Sequence, residues 1–159
     1  MIVNALAASG LHPTRLEIEI TETVLLQDKE ATLAILHQLR ALGVRIAMDD
    51  FGTGYSSLTY LQCFPFDKIK IDRSFVKDIS ENKGSLNIVR AIAALASGMG
   101  MAATAEGVET SEQLNRIMAE GCTEMQGYLF SPPRPAREIE RLFIARQSAQ
   151  DDSSRTAVA

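Results

Sequence analysis

Short segments with strand character recur along this sequence, and a stretch with helical spacing separates each from the next. Residues 16–22 show the strand pattern most clearly, because apolar and polar residues alternate strictly through them. The predicted strands are 16–22, 44–48, 68–72, 101–105 and 124–130. Strands that alternate with helices in this way form right-handed βα units and a parallel sheet. The pattern fits either a doubly wound sheet or part of a barrel.

The segments between the predicted strands have the apolar spacing of amphipathic helices. Leucine recurs every three residues from Leu33 to Leu42, and Gly43 follows as a helix stop. Thr110, with Gln113 three residues later, has the pattern of a capping box. The predicted helices are 1–8, 29–42, 58–61, 86–97 and 110–120, with a last helix marked by Ile139, Leu142 and Phe143. The polar segment 147–159 predicts a disordered tail.

Asp49 and Asp50 follow the second predicted strand and precede a loop that contains Gly52 and Gly54. Adjacent strand residues point to opposite faces, so both carboxylates can serve one site only where the strand ends and its backbone turns. Two close carboxylates repel each other unless a cation lies between them. Hard oxygen ligands of this kind suit Mg²⁺, Mn²⁺ or Ca²⁺. An Asx turn or a helix cap at the end of an ordinary strand is the alternative interpretation of an isolated pair.

Polar residues also lie in or just after the other predicted strands. They are Glu19, Glu22, Asp49, Asp50, Lys70, Asp72, Glu106, Glu109 and Gln126. A ring of polar groups at the carboxyl ends of successive strands is typical of the active site of a (β/α)₈ barrel. Such a barrel has about 250 residues. A chain of 159 residues with five predicted strands supplies only part of one.

The composition is that of one globular domain, with 46% hydrophobic and 23% charged residues. The net charge of −4 gives no basic surface for a DNA or RNA polymer. Cys63 and Cys122 have no metal-ligand spacing, and the sequence shows neither a signal peptide nor a membrane segment. We therefore expect a cytoplasmic protein.

Five ordered motifs lie at the ends of the predicted strands. They are Leu-Glu-Ile-Glu-Ile-Thr-Glu-Thr at 16–23, Asp-Asp-Phe-Gly-Thr-Gly-Tyr-Ser-Ser-Leu at 49–58, Lys-Ile-Lys-Ile-Asp-Arg-Ser-Phe-Val at 68–76, Ala-Glu-Gly-Val-Glu-Thr at 105–110, and Gln-Gly-Tyr at 126–128. In sequence and order they resemble the C-terminal part of the EAL domain, the bacterial cyclic di-GMP phosphodiesterase. The resemblance implies a TIM-like barrel that uses two Mg²⁺ or Mn²⁺ ions to hydrolyse cyclic di-GMP to linear pGpG.

The resemblance also implies a set of metal ligands. Glu19 matches a ligand of one metal ion, Asp49 matches the ligand that bridges both, and Asp50 matches a ligand of the second. Glu106 matches a glutamate near the second metal that is proposed as the general base. These four carboxylates form the metal set that the family leads us to expect here.

Five other residues match family positions outside that set. Lys70 matches the lysine that contacts the nucleophilic water, although a lysine at a strand end is more often a surface residue. Gln126 matches a glutamine that holds water or substrate, although it could simply be a polar residue near a strand. Glu22 matches the glutamate that anchors the glycine loop, which couples metal binding to dimer contacts. Asp72 and Glu109 are interpreted as outer supporting residues that cap or pair locally.

The chain departs from the family at its start. The Glu-Ala-Leu signature is absent, as is the asparagine of the following strand, so two metal ligands are missing. We expect residues 1–146 to form five C-terminal βα units of an incomplete barrel. Such a chain would be weakly active or inactive alone, and would form a homodimer or associate with the missing N-terminal part. The alternative is a non-catalytic module that binds cyclic di-GMP or another protein.

Overall fold

A computed structural model describes residues 1–53 and 58–139, except for the side chains of residues 26 and 27. The chain divides into two compact units, Met1–Leu129 and Phe130–Ala159. In the second unit the described residues end at 139, and residues 136–139 are helical. Most of the predicted last helix and the whole predicted tail at 147–159 lie outside the described residues.

Strands and helices alternate through the first unit. The strands are β1 (Glu17–Thr21), β2 (Arg45–Phe51), β3 (Lys68–Ile71), β4 (Ala102–Ala105) and β5 (Glu124–Met125). The helices are α1 (Ile2–Ser9), α2 (Glu22–Gln27), α3 (Lys29–Ala41), α4 (Leu58–Cys63), α5 (Arg73–Lys77), α6 (Lys83–Gly98) and α7 (Ser111–Ala119), and a 3₁₀ turn (Pro13–Arg15) precedes β1. The five predicted strands and the helices that separate them are therefore confirmed.

The five strands form one sheet in the order β1-β2-β3-β4-β5, and every pair is parallel. A doubly wound sheet reverses its strand order at a switch point. Within the described residues this sheet has no such reversal, and each strand is followed by its neighbour, as in a barrel. The strand order therefore favours the barrel-type arrangement over the doubly wound one.

The two faces of the sheet differ in character. One face presents apolar side chains such as Ile46, Ile69 and Ala105, each fully buried, which pack with helix residues including Val89 and Ile117 in one core. Because side chains alternate along a strand, the residues between these lie on the opposite face. That face carries the charged side chains of the sheet, which makes it the place to look for a functional site.

Two helices that the sequence analysis did not predict follow directly after strands. Helix α2 begins at Glu22, and helix α5 begins at Arg73 after Asp72, whose side chain accepts from the backbone N–H of Ser74 at 2.9 Å. Both helices are too short to show helical periodicity. Helix α6 also begins earlier than predicted, because Asn82 caps it by accepting from Gly84 and Ser85.

The prediction of a fifth strand over 124–130 is wrong beyond its first two residues. Strand β5 ends at Met125, because the chain then turns onto the loop that follows β4. The backbone N–H of Val108 donates to Gln126, and that of Leu129 donates to the carbonyl of Val108, both at 3.0 Å. Gly127 fits this crossing closely, since a Cβ there would lie 2.1 Å from the carbonyl oxygen of Val108. Gln126 is therefore held by backbone contacts rather than by a strand.

Within the described part of the chain, no helix has both the length and the apolar character that crossing a bilayer requires.

Candidate metal centre

The aspartate pair lies inside β2 and not after it. The strand was predicted to end at Met48 but continues to Phe51, and its pairing with β3 shifts register between these two residues. Asp50 sits at this irregularity with φ of 52°, a left-handed conformation that aspartate tolerates better than most residues. A bulge re-aims the side chains around it. Consecutive aspartates can thus present their carboxylates to one region.

The turn after the pair is closed by backbone rather than by a carboxylate. The carbonyl oxygen of Asp50 accepts from the N–H of Thr53 at 3.4 Å and from its hydroxyl at 2.9 Å. Asp49 instead directs Oδ1 toward Lys70. Among the described residues, the contacts that close this turn therefore use no carboxylate oxygen of the pair.

Three carboxylates come together at the carboxyl ends of β2 and β4. Asp49, Asp50 and Glu106 each offer an oxygen, and these oxygens all lie within 4.8 Å of one another. Glu106 follows β4 directly, and its backbone N–H donates to the carbonyl of Ile71 at 3.1 Å, which fixes it beside β3. Carboxylate oxygens at this spacing suit a divalent hard cation.

The ammonium group of Lys70 lies among the carboxylates. Its Nζ is 2.6 Å from Oε1 of Glu106, 2.7 Å from Oε2 of Glu19 and 2.9 Å from Oδ1 of Asp49. Burial lowers the pKa of Lys70, but hydrogen bonds to Glu106 and Glu19 outweigh it and raise the pKa above its usual 10.5. Lys70 is therefore a buried cation and not a surface lysine.

The centre has more negative than positive charge. Among the described residues the centre holds four carboxylates, those of Glu19, Asp49, Asp50 and Glu106, and one ammonium, so four negative charges face one positive charge when all are ionised. Oδ1 of Asp49 is buried and, among the described residues, has no hydrogen-bond partner besides its ion-pair contact with Lys70. Excess charge and an oxygen of this kind both fit divalent ions in the centre.

Glu19 approaches the centre only through Lys70. Its oxygen contacts the ammonium, but Glu19 is not one of the three carboxylates whose oxygens share the 4.8 Å cluster. The structure thus brings three of the four expected metal ligands together directly.

The remaining predicted residues lie at or just after the ends of the strands and have local contacts of their own. Glu22 begins α2, and one of its carboxylate oxygens is buried. Asp72 caps α5, while the backbone N–H of Glu109 donates to Gln113 at 2.8 Å. Asp72 and Glu109 both line a cavity of about 640 Å³. Gln126 directly follows the end of β5, and its backbone N–H donates to the carbonyl of Ala105 at 2.9 Å.

A second charged cluster, which the sequence analysis did not identify, lies on the same face nearer the amino ends of the strands. We call it the floor cluster; its members are Glu17, Arg45, Lys68, Thr104 and Glu124. The sequence did indicate that these residues share a face with the centre. Glu17 and Lys68 precede Glu19 and Lys70 by two residues, and strand residues two apart point to the same face. Which partners they meet depends on strand pairing that the sequence does not display.

Fold and site together define a protein of the βα-barrel class with an acidic centre at the carboxyl ends of its strands. The EAL domain family model matches residues 1–133, and the chain belongs to the EAL domain family. Its structural neighbours are EAL TIM-barrel domains, of which it covers only part. The family and the incomplete barrel expected from the sequence are confirmed.

Several characterised proteins resemble the chain. Cyclic di-GMP phosphodiesterase NbdA of Pseudomonas aeruginosa is 44% identical over 142 residues, covering 89% of this chain and 18% of NbdA. MucR of the same organism, solved as a phosphodiesterase complex with c-di-GMP, is 43% identical with a TM-score of 0.82, covering 87% of this chain and 56% of that one. The chain spans about a fifth of the length of the curated relatives it matches.

Metal-loaded forms are known among these neighbours. BlrP1 of Klebsiella pneumoniae was solved with manganese and cyclic di-GMP, and is 38% identical with a TM-score of 0.78 over 83% of this chain and 34% of its own. The same protein was also solved with calcium.

Proposed function

We propose that this chain carries the metal centre of a cyclic di-GMP phosphodiesterase, which hydrolyses one phosphodiester of the cyclic dinucleotide to give linear pGpG. The observation that carries the proposal is the convergence of Asp49, Asp50 and Glu106 within 4.8 Å around a buried lysine. The similarity of the chain to the cyclic di-GMP phosphodiesterase NbdA supports the same substrate.

Two Mg²⁺ or Mn²⁺ ions would be held by these carboxylates together with ligands from the remainder of the barrel. Glu19 would serve one ion, Asp50 and Glu106 the other, and Asp49 would be shared between them. Bound ions would polarise the phosphodiester and lower the pKa of a coordinated water toward neutrality. The uncompensated negative charge of the centre supports this loading, because an anionic substrate would otherwise be repelled.

Lys70 and Glu106 would act on the attacking water. The ammonium of Lys70 would donate a hydrogen bond to the water oxygen and so orient it toward phosphorus. Glu106, whose Oε1 is 2.6 Å from that ammonium, would take the proton as water adds to phosphorus and the ester oxygen leaves. A single ammonium that touches three carboxylates can hold the water and the base in one fixed geometry.

Residues around the centre would support binding. Gln126 would hold water or substrate, Glu22 would anchor the loop after the aspartate pair, and Asp72 and Glu109 would act as outer supporting residues. The fixed backbone around Gln126 supports a positioning role, because its N–H and carbonyl are both bonded.

We further propose that residues 1–146 form the EAL portion, followed by a polar tail, in a cytoplasmic protein. Association with a second copy or with the remainder of the barrel would complete the site. An apolar groove of about 440 Å³, lined by residues of α1 and by Leu16 and Ile18, supports such an association. Strand β1 also pairs with only one described strand, β2, so its other edge is open to pairing.

The proposal is tested by incubating the native gene product that contains this sequence with cyclic di-GMP and Mn²⁺, and measuring pGpG by chromatography. We expect EDTA-sensitive formation of pGpG, and none from Asp49→Asn. Absence of pGpG from a folded protein that still binds cyclic di-GMP would contradict hydrolysis and support the non-catalytic alternative. Absence of both would contradict the whole proposal.

A further inference from the structure

The floor cluster joins strands that are not neighbours in the sheet. Nζ of Lys68, on β3, lies 2.8 Å from Oε1 of Glu17 on β1 and 2.5 Å from Oε2 of Glu124 on β5. Strands β1 and β5 are the two outermost strands of the described sheet, and neither pairs with β3. One ammonium therefore ties both ends of the sheet to its middle strand.

The ammonium of Lys68 is held firmly in this position. The Lys68 side chain is only 8% exposed. Burial lowers its pKa, but hydrogen bonds to Glu124 and Glu17 raise the pKa overall, so the group stays charged. The hydroxyl of Thr104 also donates to Glu124 at 3.1 Å, and Arg45 binds Glu17 at 2.9 Å.

The three charged residues of this link lie two positions before residues in or near the proposed centre. Glu17 precedes Glu19 on β1, and Lys68 precedes Lys70 on β3. Glu124 precedes Gln126, which lies beyond the end of β5 and is held by its own backbone contacts to Ala105 and Val108. Two residues of strand span about 6.6 Å, so the separation that the floor cluster fixes between β1 and β3 is transmitted along these strands to Glu19 and Lys70.

The floor cluster differs from the centre in its charge. Glu17 and Glu124 are balanced by Arg45 and Lys68, whereas the centre has one cation for four carboxylates. The floor cluster therefore has no excess charge for a divalent ion. Its contacts serve to hold strands and not to bind a ligand.

We propose that Lys68, held between Glu17 and Glu124, is a positioning residue for the metal centre, which sets the separation of β1 and β3 and thereby the place of Glu19 beside Lys70. The inference rests on the proposed function, since it assumes that the centre binds metal. It concerns residues that take no direct part in metal binding or hydrolysis.

The test is the Mn²⁺ affinity of the chain of 159 residues, measured by titration with detection of free Mn²⁺ by electron paramagnetic resonance. Lys68→Met removes a positive charge beside an acidic centre. A purely electrostatic effect would therefore tighten cation binding, and a purely structural role would leave the affinity of the folded fraction unchanged. Positioning predicts weaker binding, by about tenfold or more.

Two further variants keep the test decisive. Glu124→Asp preserves the net charge but shortens the side chain by one methylene; because Glu124 is 42% exposed, we expect it to fold and to weaken Mn²⁺ binding by about threefold or more. Lys68→Arg retains the cation and should bind Mn²⁺ more tightly than Lys68→Met.

Arg90→Met is the matched control, since it removes an exposed cation that is paired with Glu120 outside both clusters, and the Mn²⁺ affinity should not change.

The outcomes separate this inference from the proposed function. Unchanged or tighter binding by folded Lys68→Met, or unchanged binding by Glu124→Asp if Lys68→Met does not fold, overturns the positioning role and leaves the metal centre intact. Failure of the unaltered folded chain to bind Mn²⁺ overturns the metal centre of this chain and the positioning role with it.

Discussion

Nζ of Lys70 lies 2.6 Å from Oε1 of Glu106, and the same ammonium also contacts Glu19 and Asp49. Lys70 is thus the common partner of three carboxylates that come from or follow three different strands. The central role of Lys70 has consequences for stability as well as for chemistry.

Replacing Lys70 by Met should abolish hydrolysis by the native gene product that contains this sequence, and it should destabilise the fold. The change leaves carboxylates facing one another without their shared cation, which we expect to cost about 1–3 kcal/mol at neutral pH. Mn²⁺ should restore part of this loss, because it supplies positive charge to the same carboxylates. Urea unfolding with and without Mn²⁺ measures both effects; a loss of stability that Mn²⁺ leaves unchanged would contradict this account of the site.

Lys70 should also make stability depend on alkaline pH. Its folded pKa is raised above 10.5, so its contribution is fully present below that value and is lost as pH rises through the folded pKa. The free energy of unfolding should therefore fall more steeply above about pH 10.5 in the unaltered chain than in Lys70→Met. Parallel pH profiles for the two proteins would rule out this titration.

Asp72 should make the stability of the fold depend on acidic pH. Burial raises the pKa of Asp72, but hydrogen bonds from Ser74 lower it overall below 3.8. Its stabilising contribution is present above pH 3.8 and is lost as pH falls through the folded pKa. Asp72→Asn keeps a capping side chain and should flatten this acid loss, while Asp72→Ala should cost about 1 kcal/mol at pH 7. Thermal unfolding between pH 2 and 7 compares the three proteins.

Because the backbone at Asp50 is left-handed, two substitutions that both remove its carboxylate should differ in stability. With φ of 52° at this residue, Asp50→Gly should be more stable than Asp50→Ala by about 1 kcal/mol. Both should weaken Mn²⁺ binding, since both remove a carboxylate. Equal stability of the two variants in urea would show that the left-handed conformation carries no strain.

Gly127 should tolerate no side chain. A Cβ at Gly127 would lie 2.1 Å from the carbonyl oxygen of Val108, whereas one at Gly98 would meet nothing within 4 Å. Gly127→Ala should lower the melting temperature and displace Gln126, with a loss of hydrolysis. Gly98→Ala, the matched control in α6, should be neutral or slightly stabilising, because alanine favours helix. A Gly127→Ala chain as stable as the unaltered chain would contradict the crossing at Val108, as would full hydrolysis by the native gene product with the same substitution.

Sequence patterns predicted the βα succession and the acidic edge for clear physical reasons. Buried strands and amphipathic helices leave apolar periodicities, and parallel strands bring their carboxyl ends to one edge of a sheet. The bulge at Asp50 left no such pattern, because a register shift is a relation between β2 and β3. The early end of β5 depends on the contact between Gly127 and Val108, and the floor cluster on the partners of Lys68 in distant strands.

The proposed bridging of two metal ions by Asp49 is tested most directly by the electron paramagnetic resonance spectrum of the folded native gene product saturated with Mn²⁺. Ions held by one carboxylate lie about 3.5–4 Å apart, so we expect the signal of a spin-coupled pair, which Asp49→Ala converts to that of isolated ions. A spectrum of isolated Mn²⁺ from the saturated, unaltered protein would contradict the two-metal centre.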